Sequence, residues 1–336
     1  MKKILIAATA VAACAAGLRA EDVVTLNGAG ATFPYPIYSK WFDDYRKIRP
    51  DAQINYQSIG SGGGIRQIIE RTVDFGATDG PMSDQQLSDP KIKGKLLHIP
   101  TVLGAVVPVF NVAGVDSLNL SPETLAKIFL GEITRWDDTA LKKDNPSAKL
   151  PGEAITVVHR SDGSGTSFCF TDYLSKASKD WEKKAGRGAS VNWPAGIGGK
   201  GNEGVSGLVK QMPSSIGYVE LIYAEQNKLA HAAVRNGSGK FVKASVEAVT
   251  AAASGVKMPA DFRVSITDSK GGKAYPISTF TWLLVYQENS GRTGAILKDF
   301  LLWMLDEGQK AAPALGYAPL PKGVAARARK TVEKIK

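Results

Sequence analysis

Three times in this chain a short β-prone run gives way to a turn of glycine, serine and threonine and then to a helix-forming stretch. That repeated order constrains the fold more than any other feature. Residues 23–26 lead into Gly28-Ala29-Gly30-Ala31-Thr32-Phe33, ahead of a helix that Pro34 and Pro36 help to start. Residues 54–57 lead into Ile59-Gly60-Ser61-Gly62-Gly63-Gly64, ahead of a helix whose Ile65, Ile68, Ile69 and Val73 fall at helical spacing. Residues 155–158 lead through His159-Arg160 into Ser161-Asp162-Gly163-Ser164-Gly165-Thr166, ahead of a helix over 168–175. Elsewhere Ser121-Pro122-Glu123 supplies a cap, a first-turn proline and a first-turn acid before Leu125, Ile128 and Phe129. Residues 281–286 read as a buried strand, and Leu297, Phe300, Leu301, Met304 and Leu305 make one helix face. Strands alternating with helices imply an α/β sheet architecture. With no internal repeat, low-complexity tract or long linker, two domains joined by ordinary short segments are expected.

The amino terminus reads as a processed leader. Met1-Lys2-Lys3 is followed by an alanine-rich apolar run to Gly17, and Leu18-Arg19-Ala20 precedes the acids Glu21 and Asp22. This is the pattern of a cleaved secretory signal, with cleavage after Ala20. A second reading takes Val11-Ala12-Ala13-Cys14 as a lipoprotein box that anchors the chain through Cys14. Of the 336 residues, 316 then remain, enough for two ordinary domains of roughly 100 to 200 residues each. The chain has two cysteines, so processing leaves Cys169 alone and excludes an internal disulfide. The formal charge of +10 falls to +7 as Lys2, Lys3 and Arg19 leave, a basic surface suited to an anionic ligand or an anionic membrane. No later stretch approaches the ~20 apolar residues of a spanning helix.

The three turns share a chemistry. Each aims backbone N–H groups and the positive end of a helix dipole at one spot, while small side chains admit close approach and hydroxyls add donors. One such turn alone is more often a simple strand-to-helix connection; three together describe an anion cradle. None carries the lysine of a Walker sequence, and Phe33 stands where a dinucleotide fingerprint needs its third glycine, so nucleotide binding is disfavoured. His98, His159 and His231 are dispersed and lack metal-ligand spacing, so neither metal nor cofactor is expected. Cys169, Trp41, Trp136 and Trp193 read as packing residues. The basic end from Lys322 to Lys336 lacks the aromatic interleaving of a nucleic-acid surface and reads as a solvated helix.

Five runs stand out beside residues 130–138: Gly28-Ala29-Gly30-Ala31-Thr32-Phe33-Pro34, Val73-Asp74-Phe75-Gly76-Ala77-Thr78-Asp79, Arg160-Ser161-Asp162-Gly163-Ser164-Gly165-Thr166, Gly198-Gly199-Lys200-Gly201-Asn202 and Ile216-Gly217-Tyr218-Val219-Glu220. In sequence, order and spacing they resemble the phosphate-binding proteins of bacterial phosphate ABC transporters. Gly62 and Ser161 depart from that pattern, which more often has a second serine and a small apolar residue there. The resemblance covers nearly the whole mature chain. It implies a two-lobe periplasmic-binding-protein fold of type II with the ligand in the interdomain cleft. The lobes would be residues 21–98 plus 276–336 and residues 99–275. It implies phosphate contacts from Ala31, Thr32, Phe33, Ser61, Asp79, Arg160, Ser164, Gly165 and Thr166, with Asp162 holding Arg160. It further implies a monomeric periplasmic carrier that delivers phosphate to a membrane permease and ATPase complex.

Elementary chemistry gives two of these residues a specific task. A buried carboxylate at Asp79 beside a dianion makes sense only if the ligand brings a hydrogen for it to accept, as monohydrogen phosphate does and sulfate does not. Within Thr78-Asp79-Gly80-Pro81, however, Asp79 also reads as a plain turn residue. Arg160 and Asp162, two apart at a strand end, can share a face and form an ion pair, either for structure or to present the guanidinium to an oxyanion. Two other readings remain: a carrier for sulfate or molybdate, and a secreted phosphatase or hydrolase using Ser164. The second is weakened because Gly163-Ser164-Gly165 is not a nucleophile elbow.

Overall fold

The computed structural model describes residues 23–336. The leader, its cleavage after Ala20 and the alternative anchor at Cys14 lie outside the described residues. The α/β expectation holds, in the order β1 (Val24–Gly30), α1 (Tyr35–Ile48), β2 (Ala52–Ser58), α2 (Ser61–Ile69), β3 (Phe75–Thr78) and β4 (Leu96–Asn111). There follow α3 (Pro122–Phe129), β5 (Thr156–Arg160), α4 (Gly165–Ala177), β6 (Ile197–Gly199), α5 (Gly201–Gln211), β7 (Ser215–Glu220) and α6 (Leu221–Asn227). The chain closes with β8 (Ser278–Tyr286), α7 (Gly291–Met304) and α8 (Lys322–Val332), with shorter elements between.

One hydrogen-bonded path runs β2-β1-β3-β8-β4-β7-β5-β6. The pairs β1–β2 and β1–β3 are parallel, β3–β8, β8–β4 and β4–β7 antiparallel, and β7–β5 and β5–β6 parallel again. The long strand β4 is the axis of this path: Leu96 to Ala105 pair with β8, and Val106 to Asn111 pair with β7. Its β-branched sequence is buried at every position but the last, as a strand covered on both faces requires.

The sequence-level elements sit close to their expected places, with informative differences. Strand β1 runs on through Gly28-Ala29-Gly30, because Gly30 pairs with Ala77 of β3 and the glycines let β3 approach. Helix α2 starts at Ser61, so the glycine run lies inside it, while Val73 lies beyond its end. Helix α4 likewise starts at Gly165, capped by Ser164. Strand β8 is buried throughout, and Leu297, Phe300, Leu301, Met304 and Leu305 all face the core. Trp41, Trp136 and Cys169 are core residues, whereas Trp193 is half-buried and stacks on His159 at 4.9 Å. The cations Lys322, Arg327, Arg329 and Lys330 of α8 are exposed.

Helix α3 begins as its sequence dictates, with Ser121 Oγ accepting from Thr124 N at 3.3 Å. Ser121→Ala is expected to lower stability by about 1 kcal/mol, read as a shifted urea midpoint with unchanged slope.

Candidate functional site

The three Gly/Ser/Thr turns meet, and the fold itself makes them meet. Parallel pairing of β1 with β3 sets Gly30 beside Ala77, so that Thr32 and Asp79 leave neighbouring strand ends. Gly62 N donates to Gly163 O at 2.8 Å, joining the second turn to the third. The approach is close enough to demand glycine. A Cβ on Gly165 would stand 2.5 Å from Ser61 Oγ and 2.7 Å from Asp79 N, and one on Gly60 would stand 2.2 Å from Asp162 Oδ2. Gly60 also has φ of +85°, which a side chain would resist.

Ser61 is the pivot. Its hydroxyl accepts from Asp79 N at 3.2 Å and from Gly165 N at 3.1 Å, and lies 3.5 Å from Asp79 Oδ2. Asp79 is 1% exposed, so it is no surface turn residue. Its Oδ1 accepts from Thr281 Oγ1 of β8 at 2.8 Å, leaving Oδ2 toward the turns. Burial pushes this carboxyl up to about 7, against smaller opposing effects of the Thr281 hydrogen bond and the Arg160 charge.

Arg160 ends β5 with its guanidinium buried. Nε and Nη2 donate to Asp162 Oδ1 and Oδ2 at 2.7 and 2.6 Å, a two-pronged pairing that fixes the plane of the fork. Asp162 Oδ1 also accepts from Gly201 N at 3.1 Å. Burial alone would raise the Asp162 carboxyl, but the hydrogen bond and charge of Arg160 outweigh it and hold it below its ordinary value. The third nitrogen, Nη1, is buried with no hydrogen-bond partner among the described residues. A buried guanidinium N–H without an acceptor is costly, so it marks the place of an anion.

The hydroxyls are arranged for the same guest. Thr32 Oγ1 accepts from both N and Nδ2 of Asn202, at 3.2 and 2.7 Å. Thr166 Oγ1 accepts from Asn202 Nδ2 at 3.2 Å, and Ser164 Oγ from Ser167 N at 3.0 Å. A hydroxyl has one proton and two acceptor positions. That of Thr32 is filled on the acceptor side and must direct its proton elsewhere, while that of Ser61, filled likewise, turns its proton toward Asp79 Oδ2 at 3.5 Å. Thr32, Ser61, Ser164, Gly165, Thr166, Asp79 and Arg160 are therefore brought together, at the N-terminal ends of α2 and α4. Phe33 joins them by its backbone, since its ring is core and its carbonyl accepts from Tyr317 Oη at 2.6 Å. Ala31 is different. Its N–H is bound to Ala77 O at 3.0 Å and its carbonyl accepts from Tyr56 Oη at 2.8 Å, so it forms wall and offers no free N–H.

Sequence reasoning assigned no role to Asn202, Thr281, Tyr223 or Tyr317, the residues that hold the turns in place; Tyr223 Oη donates to Thr32 O at 2.6 Å. One signal was available for Asn202. Strand β6, the run Gly198 to Gly201 and helix α5 make a fourth strand, turn and helix of the same kind.

Comparison with known proteins agrees with this architecture. A family model described as a PBP superfamily domain matches residues 16–307. The phosphate-binding protein PstS of Haemophilus influenzae is 47% identical over 306 residues, covering 89% of this chain and 90% of that protein. PstS of Pasteurella multocida is 46% identical over 306 residues, covering 89% and 87%. Among solved structures, the phosphate-binding protein from Stenotrophomonas maltophilia superposes with a TM-score of 0.69 at 22% identity, covering 91% of this chain and 93% of that one. At that identity the likeness establishes the two-lobe fold and no more. Shared sequence over nearly its whole length places the chain in the PBP superfamily and, within it, in the PstS family of phosphate-binding proteins.

Proposed function

We propose that this chain is a secreted solute-binding protein that captures inorganic phosphate among the converging turns and hands it to the permease and ATPase complex of an ABC transporter. The observation that carries this reading is the buried, unpartnered Nη1 of Arg160, set within a ring of hydroxyls whose acceptor sides are taken by protein N–H groups. Such a ring offers protons and one cation, which suits an oxyanion, and adds one acceptor, Asp79, which suits an oxyanion that carries hydrogen. Thr32, Phe33, Ser61, Asp79, Arg160, Ser164, Gly165 and Thr166 make the contacts, Ala31 shapes the wall, and Asp162 aims Arg160. Residues 21–98 with 276–336 form one lobe and 99–275 the other; β4, which exchanges β8 for β7 as partner along its length, passes from one to the other and supports a hinge motion between them. The leader at residues 1–20 sends the chain to the periplasm.

Binding without catalysis is part of the same reading. The His159 ring stacks on Trp193 with its Nδ1 against Arg160 O, and among the described residues no hydrogen bond joins it to Ser164 as a base would require. Isothermal titration of ligand-stripped protein tests the whole. Phosphate should bind with a Kd on the order of micromolar or tighter, and sulfate at least ~10³-fold more weakly. Absence of phosphate binding, or a phosphate-ester hydrolysis abolished by Ser164→Ala, would overturn it.

A further inference from the structure

The side chain that most thoroughly ties the site together is one that neither the motifs nor the phosphate contacts account for. Asn202 is 0% exposed and opens α5, in the lobe opposite Thr32. Its Oδ1 accepts from Glu220 N at 2.9 Å. A backbone N–H can only donate, so this bond fixes which end of the amide is oxygen and turns Nδ2 toward the threonines. Nδ2 then donates to Thr32 Oγ1 at 2.7 Å and to Thr166 Oγ1 at 3.2 Å, while the Asn202 backbone N donates to Thr32 Oγ1 at 3.2 Å. Every hydrogen-bonding atom of the amide is used. Thr32 and Asn202 are 170 positions apart in sequence.

Two consequences follow from donors alone meeting the Thr32 hydroxyl. Its acceptor positions are full, so its proton is left for a ligand, and a pocket otherwise free to rotate its hydroxyls becomes one that presents protons. Because Thr32 follows β1 and Asn202 lies in the first turn of α5, the same bonds hold the two sides of the cleft together. Glu220 supports this from below: it is buried, its backbone anchors the amide, and its Oε2 caps α6 by accepting from Ile222 N at 2.9 Å.

We propose that Asn202 is a positioning residue for the phosphate site, orienting the Thr32 and Thr166 hydroxyls toward the ligand and clasping the two lobes around it. The proposal rests on the phosphate reading above. If it holds, Asn202 acts through Thr32, so the two substitutions must overlap in effect instead of multiplying. The test is a double-mutant cycle on the full mature chain, stripped and titrated with inorganic phosphate, with release rates measured by stopped flow. Asn202→Ala and Thr32→Val are each expected to weaken binding ~30- to 100-fold, mainly through faster release, and the double variant to be no more than ~3-fold worse than the weaker single. Losses that multiply would overturn the proposal, as would an Asn202→Ala protein that releases phosphate at the wild-type rate. Asn202→Asp guards against a folding failure, because it keeps the shape and the bond from Glu220 N but offers the threonines acceptors. It should bind at least ~100-fold more weakly than wild type, and binding within ~3-fold would sink the idea. Failure of the unaltered protein to bind phosphate would instead defeat the underlying functional reading.

Discussion

Asp79→Asn is expected to collapse the preference for phosphate over sulfate by a factor on the order of 10⁴ at pH 8, chiefly by letting sulfate in. The geometry sets the direction. Thr281 Oγ1 donates to Asp79 Oδ1, the shorter of its two bonds, so keeping that bond puts the replacement amide's oxygen there and its NH₂ at the Oδ2 position, facing Ser61 and the turns. The one acceptor among the donors is thereby converted into another donor. Sulfate, which has only lone pairs to offer near neutrality, then finds every partner it needs. Phosphate loses less, since it also presents acceptor oxygens. Competition titration of both anions reads the ratio, and a variant that still rejects sulfate as the parent does would refute Asp79 as the discriminating group.

The pH dependence of sulfate rejection by the parent protein follows from the same burial. With its carboxyl pushed up to about 7 from an ordinary 3.8, Asp79 of the empty protein holds a proton below neutrality and can itself donate to sulfate. Rejection of sulfate by the parent protein should therefore weaken as pH falls from 8 to 5.5, and in Asp79→Asn it should be weak throughout. Stability carries the same sign. The folded state binds this proton more tightly than the unfolded chain, so the stabilisation from the neutral acid is complete below about 3.8 and is lost as pH rises through about 7. Linkage sets a ceiling of about 4 kcal/mol on that loss. The stripped Asp79→Asn protein should then melt higher than the stripped parent at pH 8, with the gap closing by pH 4.

How much of this was legible in the residues depended on whether the signal was local. The turns at Thr32, Ser61 and Ser164 announced themselves because strand, Gly/Ser/Thr and helix are read within a dozen residues. Their boundaries were misplaced for one reason: glycine counts as a helix breaker by propensity, yet Gly62, Gly63 and Gly64 lie inside α2. Cβ atoms on Gly63 and Gly64 would strike Ile59 and the Ala29 carbonyl, while one on Gly62 would only crowd Gly163, contacts that only the assembled fold reveals. Asp79 shows the opposite case. Its sequence neighbours describe a turn, and what makes it chemistry is burial under β8, two hundred residues away. Asn202 was visible within a motif but had no role until Thr32 and Thr166 stood on either side of it. Local rules find the donors; long-range packing decides which donors face the guest and which face each other.

Arg160→Met is expected to weaken phosphate binding by about 10³-fold or more. The guanidinium is the cation of the site, and its Nη1 is the N–H that the protein leaves without a partner. Methionine fills similar volume but removes both charge and donor, and it strands Asp162, whose carboxylate would be left partly buried with backbone N–H groups such as Gly201 N but no cation to oppose it. Part of the damage would thus be to folding and not to recognition. A second substitution separates the two. Adding Asp162→Leu removes the stranded charge, so the double variant should recover most of the melting temperature lost by Arg160→Met while phosphate affinity stays low. Should affinity return along with stability, Arg160 would be a structural partner of Asp162 and no ligand contact at all. If instead stability recovers and binding does not, the ion pair serves to aim a cation at the anion, with Asp162 keeping the pocket near electrical balance so that the ligand can leave.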